Sequence, residues 1–353
     1  MWRVLVFPFA LIYGLIVWLR NKFFDWGILR SKKFDILTIS VGNLSAGGAG
    51  KTPHIEYLIR LLNQDYNLAT LSRGYKRKTK GFRIAKQHAT ALEVGDEPSQ
   101  FKHKFSNITV AVDGRRRRGI KEIKKLDPYV DVILMDDAFQ HRYVKPGLNI
   151  LVTDYHNPYS KDYLLPTGTL REHTSGAKRA DIIIVSKTPN VLSPITKRRF
   201  YHEINPLPNQ DLFFTYLKYG QLRPVFESNS QEKIPQNFNS IIMVTAIANP
   251  YPLMDHLREK CYDLETITFP DHHTFSKSDI KKIQAVYDDV FSPKKAIITT
   301  EKDATRLRSA FGNKKLKDLP LYYIPVEVAF HKGQKQKFER RILKYVRENQ
   351  GNQ

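Results

Sequence analysis

A glycine-rich turn between a strand pattern and a helix pattern limits the folds open to this chain more than any other feature. The apolar run at residues 36–41 predicts a buried strand, and the turn that follows includes Ser-Ala-Gly-Gly-Ala-Gly-Lys-Thr from Ser45 to Thr52. Glycines let backbone amides curl around phosphate oxygens, and the start of the helix adds a partial positive charge. Lys51 can reach the β- and γ-phosphates of a nucleotide, and Thr52 can ligate Mg²⁺.

The segment predicts a phosphate-binding loop, because the strand before it and the helix after it are the context that this motif requires. Ser45 departs from the usual pattern, which has glycine at that position. The alternative is a glycine-rich turn with a chance Gly-Lys-Thr sequence. The predicted nucleotide-binding residues are Ser45, Ala46, Gly47, Gly48, Ala49, Gly50, Lys51 and Thr52.

Further apolar, β-branched runs alternate with helical patterns along the chain. Nearly continuous apolar runs are typical of strands buried on both faces of a parallel sheet. We therefore predict an α/β protein with a P-loop NTPase-type, mostly parallel sheet and a second, smaller α/β domain. Pro, Gln and Asn are frequent between residues 205 and 239, which indicates an interdomain region around the aromatic strand candidate at 212–217. The other candidate strands are 68–72, 108–112, 130–135, 149–152, 181–185, 241–244, 264–269, 296–299 and 321–324.

The N-terminal segment at residues 4–19 is apolar and carries no charge, and Arg20 and Lys22 follow it. As a helix it would be about 24 Å long, shorter than the ~30 Å hydrocarbon core of a bilayer. No small-x-small cleavage site follows, which disfavours a signal peptide, and a buried helix is the other alternative. We interpret it as a membrane-associated helix that either spans the bilayer or lies in the interface, with the following basic residues placing the chain in the cytoplasm.

These patterns divide the chain into four predicted parts. They are a membrane-associated helix at 1–28, a P-loop catalytic domain at 29–210, a second α/β domain at 211–330 that closes over the active site, and a C-terminal helix and tail at 331–353. The 57 Lys and Arg exceed the 35 Asp and Glu and give a net charge of +22, which favours polyanionic partners of several kinds. The single cysteine, Cys261, cannot form an internal disulfide and suits a reducing compartment.

Two carboxylates predict a second part of the nucleotide site. Asp136 and Asp137 end the candidate strand at 130–135. A carboxylate at such a strand end can hold Mg²⁺ directly or through water near the phosphate loop, although a helix N-cap is an alternative. The loop and the carboxylates together predict ATP and Mg²⁺ as cofactors. They leave open whether the acceptor is water, a protein, a nucleobase or a small molecule.

Seven motifs narrow the function further. They are Val41 to Pro53, Leu71-Ser-Arg-Gly-Tyr75, Gly95-Asp-Glu-Pro98, Asp136-Asp-Ala-Phe-Gln-His141, Leu164 to Glu172, Phe269-Pro-Asp-His272 and Thr300-Glu-Lys-Asp303. In this order, and over nearly the whole chain, they resemble the bacterial tetraacyldisaccharide 4'-kinases, the lipid A 4'-kinase family. Ala138 replaces a usual glycine of that family, and Thr169 and His173 stand where prolines are common.

The resemblance implies transfer of the γ-phosphoryl group of ATP to the 4'-hydroxyl of a tetraacyldisaccharide 1-phosphate, which gives lipid IVA in lipid A biosynthesis. The reaction is implied to take place at the cytoplasmic face of the bacterial inner membrane. The implied partners are this lipid substrate and the inner membrane surface, with no nucleic acid and no obligate protein partner. An anionic, lipid-embedded acceptor would give the net charge and the apolar N-terminal segment a common purpose.

The resemblance also implies roles for individual residues. Asp96 matches the family's catalytic aspartate, a base whose histidine partner carries over to His272, and Lys51 completes the catalytic set. Without the resemblance, a helix cap and a loop histidine would be equally good interpretations of Asp96 and His272. The residues assigned to Mg²⁺ are Thr52, Asp136, Asp137, Glu97 and Glu172, where Glu172 could instead be a solvated carboxylate paired with Arg171. The residues assigned to the acceptor are Arg73, Tyr75, Arg116, His141 and Arg171, and the choice within Arg115 to Arg118 stays open.

The sequence leaves two alternative functions open. A basic P-loop ATPase acting on nucleic acid would explain the net charge and the arginine run at 115–118, but no basic motif interleaved with aromatic residues supports it. A membrane-tethered nucleotide switch is opposed only by the Asp96 and His272 motifs. Lys187 is a weak candidate for a position near the adenine, and Lys302 and Asp303 are expected to be structural.

Overall fold

The computed structural model describes residues 2–226, 234–235, 237–271, 273–309, 316 and 318–350, and only the backbone of residues 2–5. Its strands are β1 (Leu37–Gly42), β2 (Leu68–Ser72), β3 (Arg83–Ile84), β4 (Thr109–Val112), β5 (Val132–Asp136), β6 (Leu148–Asp154), β7 (Ile182–Ser186), β8 (Asp211–Tyr219), β9 (Arg223–Pro224), β10 (Phe238–Thr245), β11 (Cys261–Thr268), β12 (Lys295–Thr300), β13 (Leu321–Ile324) and β14 (Val326–Phe330). Its helices are α1 (Trp2–Asp25), α2 (Lys51–Leu62), α3 (Ala91–Val94), α4 (Asp96–Lys104), α5 (Arg116–Leu126), α6 (Pro194–Ile204), α7 (Tyr251–Arg258), α8 (Lys277–Asp289), α9 (Glu301–Ser309) and α10 (Gln334–Gln350).

The larger sheet of the described chain has nine strands in the order β14-β8-β7-β6-β1-β5-β2-β4-β3. Its central strands are parallel, and β1 lies between β5 and β6. All six residues of β1 are buried, as its unbroken apolar sequence predicts for a strand covered on both faces. Apolar side chains of α2 and α10 pack on one face, and those of α5 and α6 pack on the other. The carboxyl ends of β1 and β5 therefore meet at one edge, where parallel sheets place ligands.

The smaller sheet has five strands in the order β11-β10-β12-β13-β9. Strands β10 to β13 are parallel, and β9 pairs antiparallel with β13. Helices α8 and α9 cover one face, where Ile283 and Leu307 are buried, and α7 covers the other with Leu253 and Leu257. This sheet forms a second α/β domain, as the sequence predicts.

The limits of the second domain differ from the predicted 211–330. Strand β8 pairs with β7 in the larger sheet, and β14 returns to pair antiparallel with β8. Helix α10 places Phe338 and Ile342 in the core of the larger sheet, so the C-terminal part is not a separate tail. The physical reason is that Phe213 and Phe214 of β8 are buried against the first domain. The second domain is thus an insertion between β8 and β14.

The N-terminal helix α1 extends past the apolar segment that the sequence marks. Within the described residues, Val6–Asp25 is the one stretch long and apolar enough to cross a membrane, and an 18-residue window of it has a mean hydropathy of 1.3. Only 6% of that window is buried, so a core helix of a soluble domain is not what the structure shows. Its exposed apolar side chains include Phe9, Leu11, Ile12, Leu15 and Ile16.

Candidate active site

The predicted phosphate-binding loop connects β1 to α2. Gly47 and Gly50 have φ angles of 113° and 87°, a left-handed backbone that favours glycine. A Cβ atom on Gly50 would also lie 3.3 Å from the hydroxyl oxygen of Ser186 on β7. Ser45 instead forms an isolated antiparallel bridge with Leu170. This extended pairing explains why a residue with a side chain stands where the usual motif has glycine.

Lys51 and Arg171 converge on one carboxylate at the end of β5. Lys51 Nζ lies 2.9 Å from Asn43 Oδ1 and 3.3 Å from Asp137 Oδ1. Arg171 donates to both oxygens of Asp137 at 3.0 and 2.9 Å and also bonds to Asn43 Oδ1. Burial would raise the pKa of Asp137, but the cations of Lys51 and Arg171 hold it well below its usual range. Two cations and a carboxylate are thus gathered beside the loop that would hold phosphates.

Asp136 is buried and lies deeper at the same strand end. Its Oδ1 atom has no hydrogen-bond partner within the described chain, and Ser72 Oγ is 3.5 Å from Oδ2. Burial, followed by the negative charges of Glu97 and Asp137, raises the pKa of Asp136 to about 7. A buried carboxylate oxygen without a partner, close to the start of α2 with its Thr52 hydroxyl, fits the oxygen ligands that Mg²⁺ prefers.

The described residues contain no group of three or more His, Cys, Asp or Glu arranged to hold a metal ion. Asp136 and Thr52 would therefore supply only some of the ligands of a magnesium ion, as protein residues usually do at nucleotide sites. Glu172 is not placed as the sequence predicts for a metal ligand. It is 1% exposed, and its two oxygens accept hydrogen bonds from Arg179, Gln140 and Asn21 at 2.8 to 3.0 Å.

Glu172 also does not pair with Arg171, which was the alternative prediction. Its ion pair is with Arg179, at 2.8 Å. A buried carboxylate needs a cation and further donors, and these three partners satisfy Glu172 without a metal. We correct its predicted place accordingly, from metal ligand to a structural junction that joins the N-terminal helix to the loop around the nucleotide site.

Arg73, Arg116 and His141, which are predicted to contact the acceptor, lie close to one another near Asp136. Arg171, from the same predicted set, instead pairs with Asp137 beside the phosphate-binding loop. Arg116 is buried at the start of α5 and donates to the backbone oxygen of Asp136 at 3.1 Å, and burial lowers its pKa to about 10. Burial, and then the charges of Arg116 and Arg73, lower the pKa of His141 to about 4. Tyr75 is exposed. Arg73, Arg116 and His141 therefore share one electropositive region next to the strand ends.

The structure distinguishes Arg116 from the other members of the arginine run. Arg117 bonds to the backbone of Tyr143, and Arg118 forms an ion pair with Asp113 at 2.7 Å at the surface. Arg116 alone among these three points to Asp136. The sequence could not make this choice, because it depends on which side of α5 faces the sheet.

Asp96 and Glu97 occupy the first turn of α4, directly after Gly95, whose φ is 99°. Both carboxylates form ion pairs with helix α9 of the second domain. Arg306 Nη2 lies 2.6 Å from Asp96 Oδ2, and Lys302 Nζ lies 2.7 Å from Glu97 Oε1. Burial would raise the pKa of Glu97, but the charge of Lys302 lowers it overall. The second domain thus covers the part of the site that contains Asp96.

These two cations were missed as site residues. The sequence predicts a structural role for Lys302 and gives no signal for Arg306. The signal available was the motif at 300–303, which the resemblance includes, but its partner in the first domain could not be inferred from the sequence. His272, the predicted partner of Asp96, lies outside the described residues, so its predicted role is not tested.

A cavity lies between the phosphate-binding loop and the end of β6. Its lining includes residues 45–49 of the loop together with Asp154, Asn157 and Thr169. Lys187 follows β7 with a φ of 58° and pairs with Asp154 at 2.7 Å. Lys187 thus reaches the rim of this cavity through its pair with Asp154, and its position near the adenine stays a prediction.

Comparison with known proteins shows which protein family this chain resembles. The family model for tetraacyldisaccharide-1-P 4'-kinase matches residues 2–347. The chain belongs to the tetraacyldisaccharide 4'-kinase family. A tetraacyldisaccharide 4'-kinase of Bacteroides thetaiotaomicron is 44% identical over 98% of this chain and 94% of its own length. One from Flavobacterium johnsoniae is 45% identical over 98% of both chains.

A solved structure supports the same assignment. LpxK from Aquifex aeolicus, crystallised in complex with ATP, matches with a TM-score of 0.73 at 26% identity, over 98% of this chain and 100% of that one. The predicted P-loop α/β fold and the predicted tetraacyldisaccharide 4'-kinase activity are confirmed by these matches. The alternative of an ATPase acting on nucleic acid is not supported, and the enzyme assignment also excludes a switch without catalysis.

In this 4'-kinase family member, helix α1 docks directly against the site. Tyr13 donates from its hydroxyl to the backbone oxygen of Arg171 at 2.8 Å, and Arg20 donates to that of Gln140 at 3.2 Å. Near the end of the helix, Arg142 forms a 2.6 Å ion pair with Asp25. The helix that would meet the membrane therefore contacts the segments that carry Asp137 and Arg171.

Proposed function

We propose that this kinase transfers the γ-phosphoryl group of Mg²⁺-bound ATP to the 4'-hydroxyl of a tetraacyldisaccharide 1-phosphate at the cytoplasmic face of the inner membrane. The observation that carries the proposal is the placement of Lys51, Asp136 and Asp96 around one edge of the larger sheet, next to the helix α1. The ATP bound to Aquifex aeolicus LpxK supports the choice of nucleotide.

Phosphoryl transfer needs charge neutralisation around the γ-phosphate and a group that takes the proton of the acceptor hydroxyl. In our proposal Lys51 and Arg171, which both contact Asp137, also bind the phosphate oxygens of ATP. Thr52, Asp136 and Asp137 would hold Mg²⁺, which when bound would supply neutralisation of the phosphate charge. Glu97 is not proposed as a direct ligand of Mg²⁺, because Lys302 already pairs with its carboxylate.

Asp96 is the proposed base. It stands at the N-terminus of α4, where the helix dipole favours an ionised carboxylate, and His272 is its proposed partner. Arg73, Arg116, His141 and Tyr75 are proposed to bind the sugar and phosphate of the acceptor. His141, with a pKa near 4, is neutral at pH 7 and can accept or donate a hydrogen bond there without adding charge.

Helix α1 is proposed to hold the enzyme at the membrane surface where the acceptor resides. An exposed apolar helix flanked by basic residues fits that interface. The docking of the helix beside Arg171 would then bring the headgroup of the acceptor close to the phosphate-binding loop. This geometry supports a membrane-bound enzyme, and the basic residues that follow the apolar segment support a cytoplasmic catalytic domain.

The test is transfer of labelled γ-phosphate from ATP to tetraacyldisaccharide 1-phosphate in detergent micelles. We expect a labelled lipid with the wild-type protein and almost none with Asp96→Ala, while ATP binding persists because Asp96 acts in the transition state. Asp288→Ala, which removes an exposed carboxylate of α8, is the matched control. An unlabelled lipid with wild-type protein that binds ATP would refute the transfer, and a wild-type rate with Asp96→Ala would remove Asp96 from the mechanism.

A further inference from the structure

The side chain of Arg306, in the second domain, binds one carboxylate oxygen of Asp96 in the first domain. Its Nε and Nη2 atoms both donate to Oδ2 of Asp96, at 3.0 and 2.6 Å. Arg306 is 7% exposed, so these bonds are shielded from water. Two charge-assisted donors on a single carboxylate oxygen restrict how that carboxylate can rotate.

Arg306 is itself fixed by a buried residue one turn earlier in α9. Its Nη1 atom donates to Asp303 Oδ1 at 2.8 Å and to the backbone oxygen of Ala246 at 3.1 Å. Asp303 is fully buried, and its other oxygen accepts from the Ala246 amide at 3.0 Å and the Thr300 hydroxyl at 2.7 Å. The guanidinium is thus anchored to the ends of two strands of the second domain, β10 and β12.

Neighbouring ion pairs keep α9 in register with α4. Lys302 binds Glu97 at 2.7 Å, and Glu301 binds Lys104 at 2.8 Å near the other end of α4. Among the described residues, the charged groups near Asp96 include Arg306 and Lys302 from α9, with Asp303 behind Arg306, and Glu97 beside Asp96 on α4. Because buried charges are costly without partners, the two helices are held in one relative position.

We propose that Arg306, anchored by Asp303, is a positioning residue that orients the carboxylate of Asp96 for the proton transfer. This inference rests on the proposed role of Asp96 as the base. It adds that the orientation of the base is set by the second domain, so that the catalytic carboxylate is aligned only when α9 is seated on α4. Arg306 does not touch the reacting atoms in this proposal and acts through Asp96.

The test is a double-mutant cycle measured by lipid phosphorylation with purified full-length protein. We expect Arg306→Gln to lower kcat by about tenfold or more with KM for ATP nearly unchanged, since a misoriented base affects the chemical step. Arg306→Lys keeps one cationic donor and should recover part of kcat. In an Asp96→Asn background, Arg306→Gln should cause almost no further loss, because the group that it positions is already absent.

Arg308→Gln is the matched control, since Arg308 lies on the same helix but bonds to the backbone of Val225 within the second domain. Urea unfolding of each variant checks that the fold is kept. A kcat loss of equal size in the wild-type and Asp96→Asn backgrounds, or no loss at all, would overturn the proposal. These outcomes are separate from failure of the proposed function, in which the wild-type protein labels no lipid.

Discussion

The ammonium nitrogen of Lys51 lies 3.3 Å from a carboxylate oxygen of Asp137, so the lysine of the phosphate-binding loop is neutralised by the neighbouring strand. Arg171 reaches the same carboxylate. In the proposed mechanism, the phosphate oxygens join the carboxylate oxygens of Asp137 as partners of Lys51 and Arg171. Because these two cations are already paired with Asp137, they need not lose bound water at that step. We therefore expect Lys51 to contribute to both nucleotide binding and turnover.

We expect Lys51→Ala to weaken ATP binding by about tenfold to a hundredfold, the range for losing a charge-assisted hydrogen bond. Turnover should fall as well, because the same cation stabilises charge on the γ-phosphate in the transition state. Isothermal titration with ATP and the lipid assay measure the two effects. Lys121→Ala on the exposed side of α5 serves as the control. Unchanged ATP affinity would contradict the phosphate-loop assignment.

Glu172→Ala should destabilise the protein, because it leaves Arg179 without its carboxylate partner in a mostly buried position. Breaking a buried ion pair costs about 3 kcal/mol in unfolding free energy. Urea unfolding measures the loss, and Glu348→Ala, which breaks an exposed pair with Lys344, should change it much less. A variant with wild-type stability but a raised magnesium requirement would instead restore Glu172 to the metal site.

Leu15→Lys combined with Ile16→Lys should release the protein from lipid vesicles without unfolding it. Both side chains are more than 60% exposed on α1, at 63% and 62%, so neither supports the core. Each apolar side chain of this size contributes about 1.5 to 3 kcal/mol when it leaves water, so the pair should lower vesicle affinity at least about a hundredfold. Co-sedimentation with vesicles measures this, with Tyr129→Lys as the control at an exposed site outside the helix. Equal sedimentation of the double variant and the control would argue against anchoring by α1.

We expect the buried His54 to make the protein less stable in mild acid. Its ring is buried on α2 between the Gly50 carbonyl and the Thr215 hydroxyl, and burial lowers its pKa from 6.5 to about 4. Since the unfolded chain binds the proton first, the free energy of unfolding falls as the pH drops from about 6.5 towards 4. At pH 5 this effect of His54 lowers the free energy of unfolding by about 2 kcal/mol relative to neutral pH. Urea unfolding at pH 7 and pH 5 measures it, and His54→Gln should reduce the difference, whereas an unchanged difference would assign the effect to other groups.

The sequence could predict those parts of the fold that local pattern determines. Strands β2 and β13 have the predicted limits, and the loop from Ser45 to Thr52 lies between a strand and a helix as expected. The end of β5 places Asp136 and Asp137 beside that loop, because parallel strands end at the same edge of a sheet. Periodicity and motif context were sufficient for these features.

What could not be predicted depends on contacts between distant segments. The return of β14 to β8 is one example, since five residues of mixed burial give no strong strand pattern. The partners of Glu172 are another, because Asn21 lies 151 residues away on a different element. The pairing of Arg306 with Asp96 joins two domains and follows from how they dock, which no local pattern specifies.

The insertion of the second domain between β8 and β14 has a consequence for synthesis on the ribosome. The nine-stranded sheet lacks β14 and its covering helix α10 until residues 326–350 are translated, and every strand of the five-stranded sheet precedes them along the chain. Because domains generally fold as units during translation, the inserted domain can become native before the domain that surrounds it. The larger sheet, which carries the phosphate-binding loop, is then completed late by β14 and α10, after the inserted domain has folded.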